Sequence, residues 1–105
     1  MQMQLCGLLG SLDGRQLQLS MNNSGTGWTG QGTLGTYAMK VCSCSVTGNT
    51  IALRGFVAPS ILTVELINWP LEILMDQRTG FMTITWVGAS GSPTRLVGQY
   101  RTPGL

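Results

Sequence analysis

The chain has no histidine, only four acidic and six basic residues, and no apolar run long enough to cross a bilayer as a helix. Each absence removes a class of function. Without histidine, the usual base of serine and cysteine nucleophiles is missing, which excludes the standard hydrolase triads. A structural zinc site wants four nitrogen or sulfur ligands, and the sequence offers three cysteines, Cys6, Cys42 and Cys44. No metal and no cofactor is expected, and the cysteines read as small apolar side chains.

The basic residues Arg15, Lys40, Arg54, Arg78, Arg95 and Arg101 are spread singly. Nucleic-acid binding needs a basic stripe that neutralises several phosphates, so nucleic acid is not an expected partner. The longest apolar stretches, 5–9 and 61–75, are too short or too interrupted by Glu, Asn and Pro to span a membrane, and no membrane partner is expected. No Lys or Arg precedes the weakly apolar stretch 3–12, and Gln4, Gly7 and Gly10 break it. It reads as part of the fold rather than a signal peptide, and the expectation is a soluble, cytoplasmic protein.

What is present is alternation. Gln16-Leu17-Gln18-Leu19-Ser20-Met21 and Met82-Thr83-Ile84-Thr85-Trp86 repeat with the two-residue period of a half-buried strand. Asp13-Gly14 lies between two such runs and marks a two-residue hairpin, pairing Leu12 with Arg15, Leu8 with Leu19 and Cys6 with Met21. Thr47-Gly48-Asn49-Thr50 marks a second, with Val46 opposite Ile51, Cys44 opposite Leu53 and Cys42 opposite Gly55. Both cysteines then share one apolar face. The Gly-rich stretch 25–35 lacks the helix that follows a phosphate-binding loop, and reads as bulges, bends or a wall thinned for close approach.

Ile61 to Ile67 reads as a strand with Leu62, Val64 and Leu66 on one face and Ile61 and Ile67 on the other. Leu71 to Met75 is likewise apolar on both sides, and Pro70 opens either that strand or a short helix. A longer turn, 76–80, leads to Phe81–Val87. A last strand over 96–101 ends in a frayed tail, 102–105. The fold class is therefore all-β, one domain over 1–105. It is a small antiparallel barrel or half-open barrel of about eight short strands joined by hairpins.

Three functional readings follow. The first is a non-catalytic binding module for an apolar or neutral small ligand, held inside the barrel or at its mouth, with Trp28, Tyr37, Trp69 and Trp86 as contacts. The second is a homo-oligomeric interaction or structural subunit whose interface is the apolar 61–75 segment, through Ile61, Ile67, Leu71 and Leu74. Charged residues are 10% of the chain, against roughly a quarter in ordinary domains, so copies repel weakly and a homo-oligomer is expected in either case. The third is a carboxylate-dependent enzyme, which requires a turn that sets Glu65 opposite Glu72. No catalytic residue is assigned.

Overall fold

The computed structural model describes residues 8–23, 27–60, 62–63 and 66–101. The expected roles of Cys6, Ile61, Val64, Glu65 and the 102–105 tail lie outside the described residues. The strands are β1 (Leu8–Leu12), β2 (Arg15–Asn23), β3 (Trp28–Leu34), β4 (Tyr37–Thr47), β5 (Thr50–Ala58), β6 (Trp69–Asp76), β7 (Phe81–Val87) and β8 (Pro93–Arg101). Each pairs antiparallel with the next, and β8 returns to β1, closing the barrel.

Alternation decides which residues fill it. Leu12, Leu17, Leu19, Leu34, Met39, Leu53, Ile73, Met75, Met82 and Ile84 point inward and form one buried cluster. No polar or charged side chain joins them among the described residues. The β1–β2 hairpin turns at Asp13 (φ 50°) and Gly14 (φ 80°), the paired positive angles that a two-residue turn of this hand needs. Leu8 pairs with Leu19 and Leu12 with Arg15, in the register the sequence implies. The β4–β5 hairpin likewise pairs Thr47 with Thr50, Val46 with Ile51 and Cys44 with Leu53.

Beyond Cys44 that register changes. A bulge between Val41 and Ser43 sets Val41, not Cys42, opposite Gly55. The extra residue reverses the alternation, so Cys42 is exposed while Cys44 stays half-buried. The two cysteines therefore do not share a face.

Two further expectations are corrected. The Gly-rich stretch is not a set of bends: its second half is strand β3, paired with both β2 and β4. A Cβ at Gly32 would overlap the carbonyl oxygen of Gln18, so the expected close approach of backbones is real, but it occurs within a continuous strand. The described residues of 61–67, Leu62, Thr63, Leu66 and Ile67, by contrast, are not in a strand. The amides of Leu66 and Ile67 both donate to the Thr63 carbonyl at 2.9 Å, and Thr63 Oγ1 donates to the Ser60 carbonyl at 3.0 Å. Local side-chain and turn hydrogen bonds following Pro59 outcompete the ladder that the alternating apolar residues suggested. Both edges of β6 are taken by β5 and β7, which leaves no edge for a hairpin with the preceding segment. Pro70 lies within β6, opposite Phe56.

Gly55 is where the wall is thinnest. A Cβ there would collide with the Lys40 carbonyl of the neighbouring strand. Gly55→Ala is expected to lower stability by about 2 kcal/mol or more, as overpacking against backbone does, whereas Ser20→Ala on the exposed outer wall changes it by less than about 0.5 kcal/mol. Urea denaturation of the two variants checks this, and equal midpoints would contradict the register.

Candidate functional site

The meander gives the barrel two different rims. The upper rim carries the β1–β2, β3–β4, β5–β6 and β7–β8 connections; the lower rim carries the β2–β3, β4–β5 and β6–β7 connections. Inward-facing residues at strand ends line each rim, and there the aromatics collect.

Tyr37 opens β4, Trp69 opens β6 and Trp86 stands near the end of β7, so all three lie at the upper rim. Trp86 is 3% exposed and pairs across the sheet with Leu71. Tyr37 meets it edge to face, with ring centroids 5.4 Å apart and planes at 70°, an arrangement that sets the positive ring edge on the negative face. The Arg15 guanidinium lies 5.5 Å from the Tyr37 ring centroid, stacking a cation on the same group from the β1–β2 hairpin. Trp69 is half-buried, and its ring passes beside Gly88 of the β7–β8 connection, where a Cβ would sit 3.5 Å from it.

The β5–β6 connection leaves the barrel at the same rim. Leu62 and Leu66, which alternation set on one face of a strand, are 88% and 84% exposed there. Ile67, set on the opposite face, is half-buried. The hydrogen-bonded turns at Thr63 have no two-residue period.

Trp28, the fourth aromatic in the expected ligand set, opens β3 at the lower rim. It packs against the core cluster at that end, as Cys44 and Tyr100 do. Burial, with the Asp76 carboxylate adding to it, pushes the Tyr100 phenol above its ordinary range. The four residues therefore form two separate groups, one of three and one of one. Of the expected interface residues, Leu71 is buried in the interior and Leu74 points outward from β6.

Glu72 faces Arg54 across the β5–β6 ladder, and the Arg54 Nε donates to its carboxylate at 3.2 Å. This carboxylate has a guanidinium as its cross-strand neighbour. Among the described residues, no three His, Cys, Asp or Glu side chains gather as a metal ligand set.

The barrel axis is filled by the buried cluster. A depression of about 550 Å³ lies instead on the outer wall, along β1, with Leu9 and Ser11 as its floor and Gln16, Gln18, Gln99 and Arg101 as its sides. The chain matches no family model, no curated protein and no solved structure. Its site must be judged on geometry alone.

Sequence pattern pointed to Tyr37, Trp69 and Trp86 as large contact surfaces but carried no signal for their grouping, which depends on which strand ends share a rim. The Arg15 contact was also missed, although the Asp13-Gly14 hairpin and an even strand count would have placed Arg15 beside that rim.

The bulge supplies a test of local geometry. Exposed Cys42 is expected to react with iodoacetamide at least about tenfold faster than Cys44, whose thiol is pushed up by burial and holds less thiolate near neutral pH. Raising the pH narrows the gap as Cys44 ionises. Peptide mass mapping after timed labelling reads the two sites, and equal rates would return both thiols to one face.

Proposed function

We propose that the protein is a non-catalytic binding module that takes an apolar small ligand on its upper rim, between the β5–β6 connection and the rings of Tyr37 and Trp69. The observation that carries this reading is the pair of leucines, Leu62 and Leu66, held almost fully in water at the end of the barrel where three aromatics converge. Single exposed apolar residues are ordinary, but two on one connection, at the rim that also carries the half-buried rings of Tyr37 and Trp69, are what this reading rests on.

Magnitudes limit what the ligand is. Covering a leucine is worth about 1.5–3 kcal/mol, so the pair supplies about 3–6 kcal/mol before the entropic cost of association. Millimolar binding alone needs about 4 kcal/mol. A ligand bound more tightly must therefore also touch Trp69 or Tyr37, which implies a molecule with an extended apolar body rather than a small polar metabolite. The filled interior favours the rim over the barrel axis as the place of binding. Arg15, stacked on Tyr37, offers a cation beside the rings, so an apolar body with a neutral or anionic end fits this surface better than a cationic one.

Fluorescence titration with the anionic naphthalene dye 1-anilinonaphthalene-8-sulfonate tests the reading. Saturable binding is expected, and Leu62→Ser combined with Leu66→Ser should weaken it at least tenfold with no loss of folding stability, since both side chains are exposed. Trp28→Phe, at the opposite rim, should leave it unchanged. Binding that ignores the leucine changes, or that disappears with Trp28→Phe, would rule the upper rim out.

A further inference from the structure

The depression along β1, on the outer wall and separate from the rim, is a trough whose shape follows from side-chain length. Alternation turns Leu9 and Ser11 outward, with Gln18 and Gln16 of β2 paired to them on one side and Arg101 and Gln99 of β8 on the other. A short floor therefore runs between two rails of long side chains, about 9.6 Å apart at two strand spacings. Its volume of about 550 Å³ lies inside the range of small-molecule sites, about 300–1,000 Å³. Between Leu9 and Ser11 stands Gly10, paired with inward-facing Leu17, and a Cβ there would come within 3.0 Å of the Gln99 carbonyl oxygen. A smaller depression of about 350 Å³, between Ser20, Asn22, Thr29 and Gln31, likewise lies over an inward-facing glycine, Gly30. With no side chain to hold the backbone off the core, a barrel wall can draw inward at such positions and leave a hollow outside.

We infer that the trough along β1 binds an uncharged saccharide chain, laid parallel to the strand between the two rails. The observation that carries this is the set of donors and acceptors. Ser11, Gln16, Gln18 and Gln99 each both donate and accept, as a sugar hydroxyl does, and Arg101 adds donors at one end. No carboxylate lines the trough among the described residues, so no lining group can only accept. None of these five side chains is engaged in a hydrogen bond or ion pair within the barrel among the described residues, so their polar groups are open to a ligand. Leu9, half-buried in the floor, offers apolar contact to the C–H face of a sugar ring. Other occupants fit less well. A peptide that adds as a strand needs an unpaired edge, and β1 is already paired with both β2 and β8. A nucleic acid needs several cations to neutralise its phosphates, where this trough has Arg101 alone. A wholly apolar ligand would strip water from the rails and return no hydrogen bonds.

Exposure sets the strength. All four rail side chains stand in water, so each hydrogen bond to a sugar replaces one to solvent and its net gain is small. The site is a weak one, with a dissociation constant on the order of 1 mM.

Amide-resolved NMR titration of the full chain with cellotetraose, maltotetraose, mannotetraose, xylotetraose and chitotetraose, each to about 10 mM, covers that strength. At least one tetrasaccharide is expected to give saturable shifts, centred on the amides of residues 9–11, 16–18 and 99–101. Gln16→Ala combined with Gln99→Ala should weaken it at least about tenfold, and Gln18→Ala alone about fivefold. The same spectra report whether each variant is folded, so either can decide if the other is not. Arg95→Gln, on the opposite wall, should leave binding unchanged. No saturable shift with any of the five would overturn the inference, as would shifts centred away from β1, β2 and β8 or binding indifferent to the folded glutamine variants. The dye titration and the saccharide titration probe different surfaces, so one can fail without the other.

Discussion

Closure between the first and last strands is the constraint on which everything else depends. β1 and β8 pair through Leu9 with Arg101, Gly10 with Tyr100, Ser11 with Gln99 and Leu12 with Gly98. Gly98 makes this seam possible, because a Cβ there would overlap the Ser11 carbonyl of the strand it joins. With the seam closed every strand has a neighbour on both sides, so the barrel has no edge strand of the kind that invites aggregation. An open sheet of this composition, with so few charges to oppose association, would have two such edges.

Closure also determines where function can reside. Eight strands enclose a space just wide enough for side chains to fill, and here leucine, isoleucine and methionine fill it. The proposed ligand surface is thereby displaced from the axis to the end of the barrel. The upper rim carries three aromatics and a connection with exposed leucines; on the outside, Leu74, Phe81 and Val97 are exposed. The same alternation that packs the interior produces these outward positions, since each inward residue is flanked by outward ones. Where the outward residues are glutamine, serine and threonine the wall is neutral and polar, and where they are leucine, valine and phenylalanine it is apolar.

Much of the architecture could be read from the chain because it is written in short-range chemistry. Asp13-Gly14 and Gly48-Asn49 fix two hairpins through the positive angles at Asp13, Gly14 and Gly48, and period-two alternation fixes the faces of β2 and β7. What escaped was decided elsewhere. Ile61 to Ile67 has the alternation of a strand, but hydrogen bonds between Ser60 and Thr63 hold that connection in turns, and β6 has no edge left to offer. The glycines of 25–35 suggested bulges, bends or a thinned wall without choosing among them; Gly30 and Gly32 are required by the closeness of β2 within a continuous strand. The bulge at Val41–Ser43 leaves no local trace and still moves Cys42 from one face to the other. The candidate site was legible one residue at a time: the aromatics stood out by size, but separating Trp28 from Tyr37, Trp69 and Trp86 needs the complete strand order.

Amide hydrogen exchange followed strand by strand tests closure most directly. In a closed barrel, the amides paired between β1 and β8 exchange about as slowly as those between β4 and β5, since both ladders open only when the whole barrel does. Exchange in β1 and β8 faster by orders of magnitude, with β4 and β5 still protected, would mean a sheet that opens at its seam, and would contradict the account.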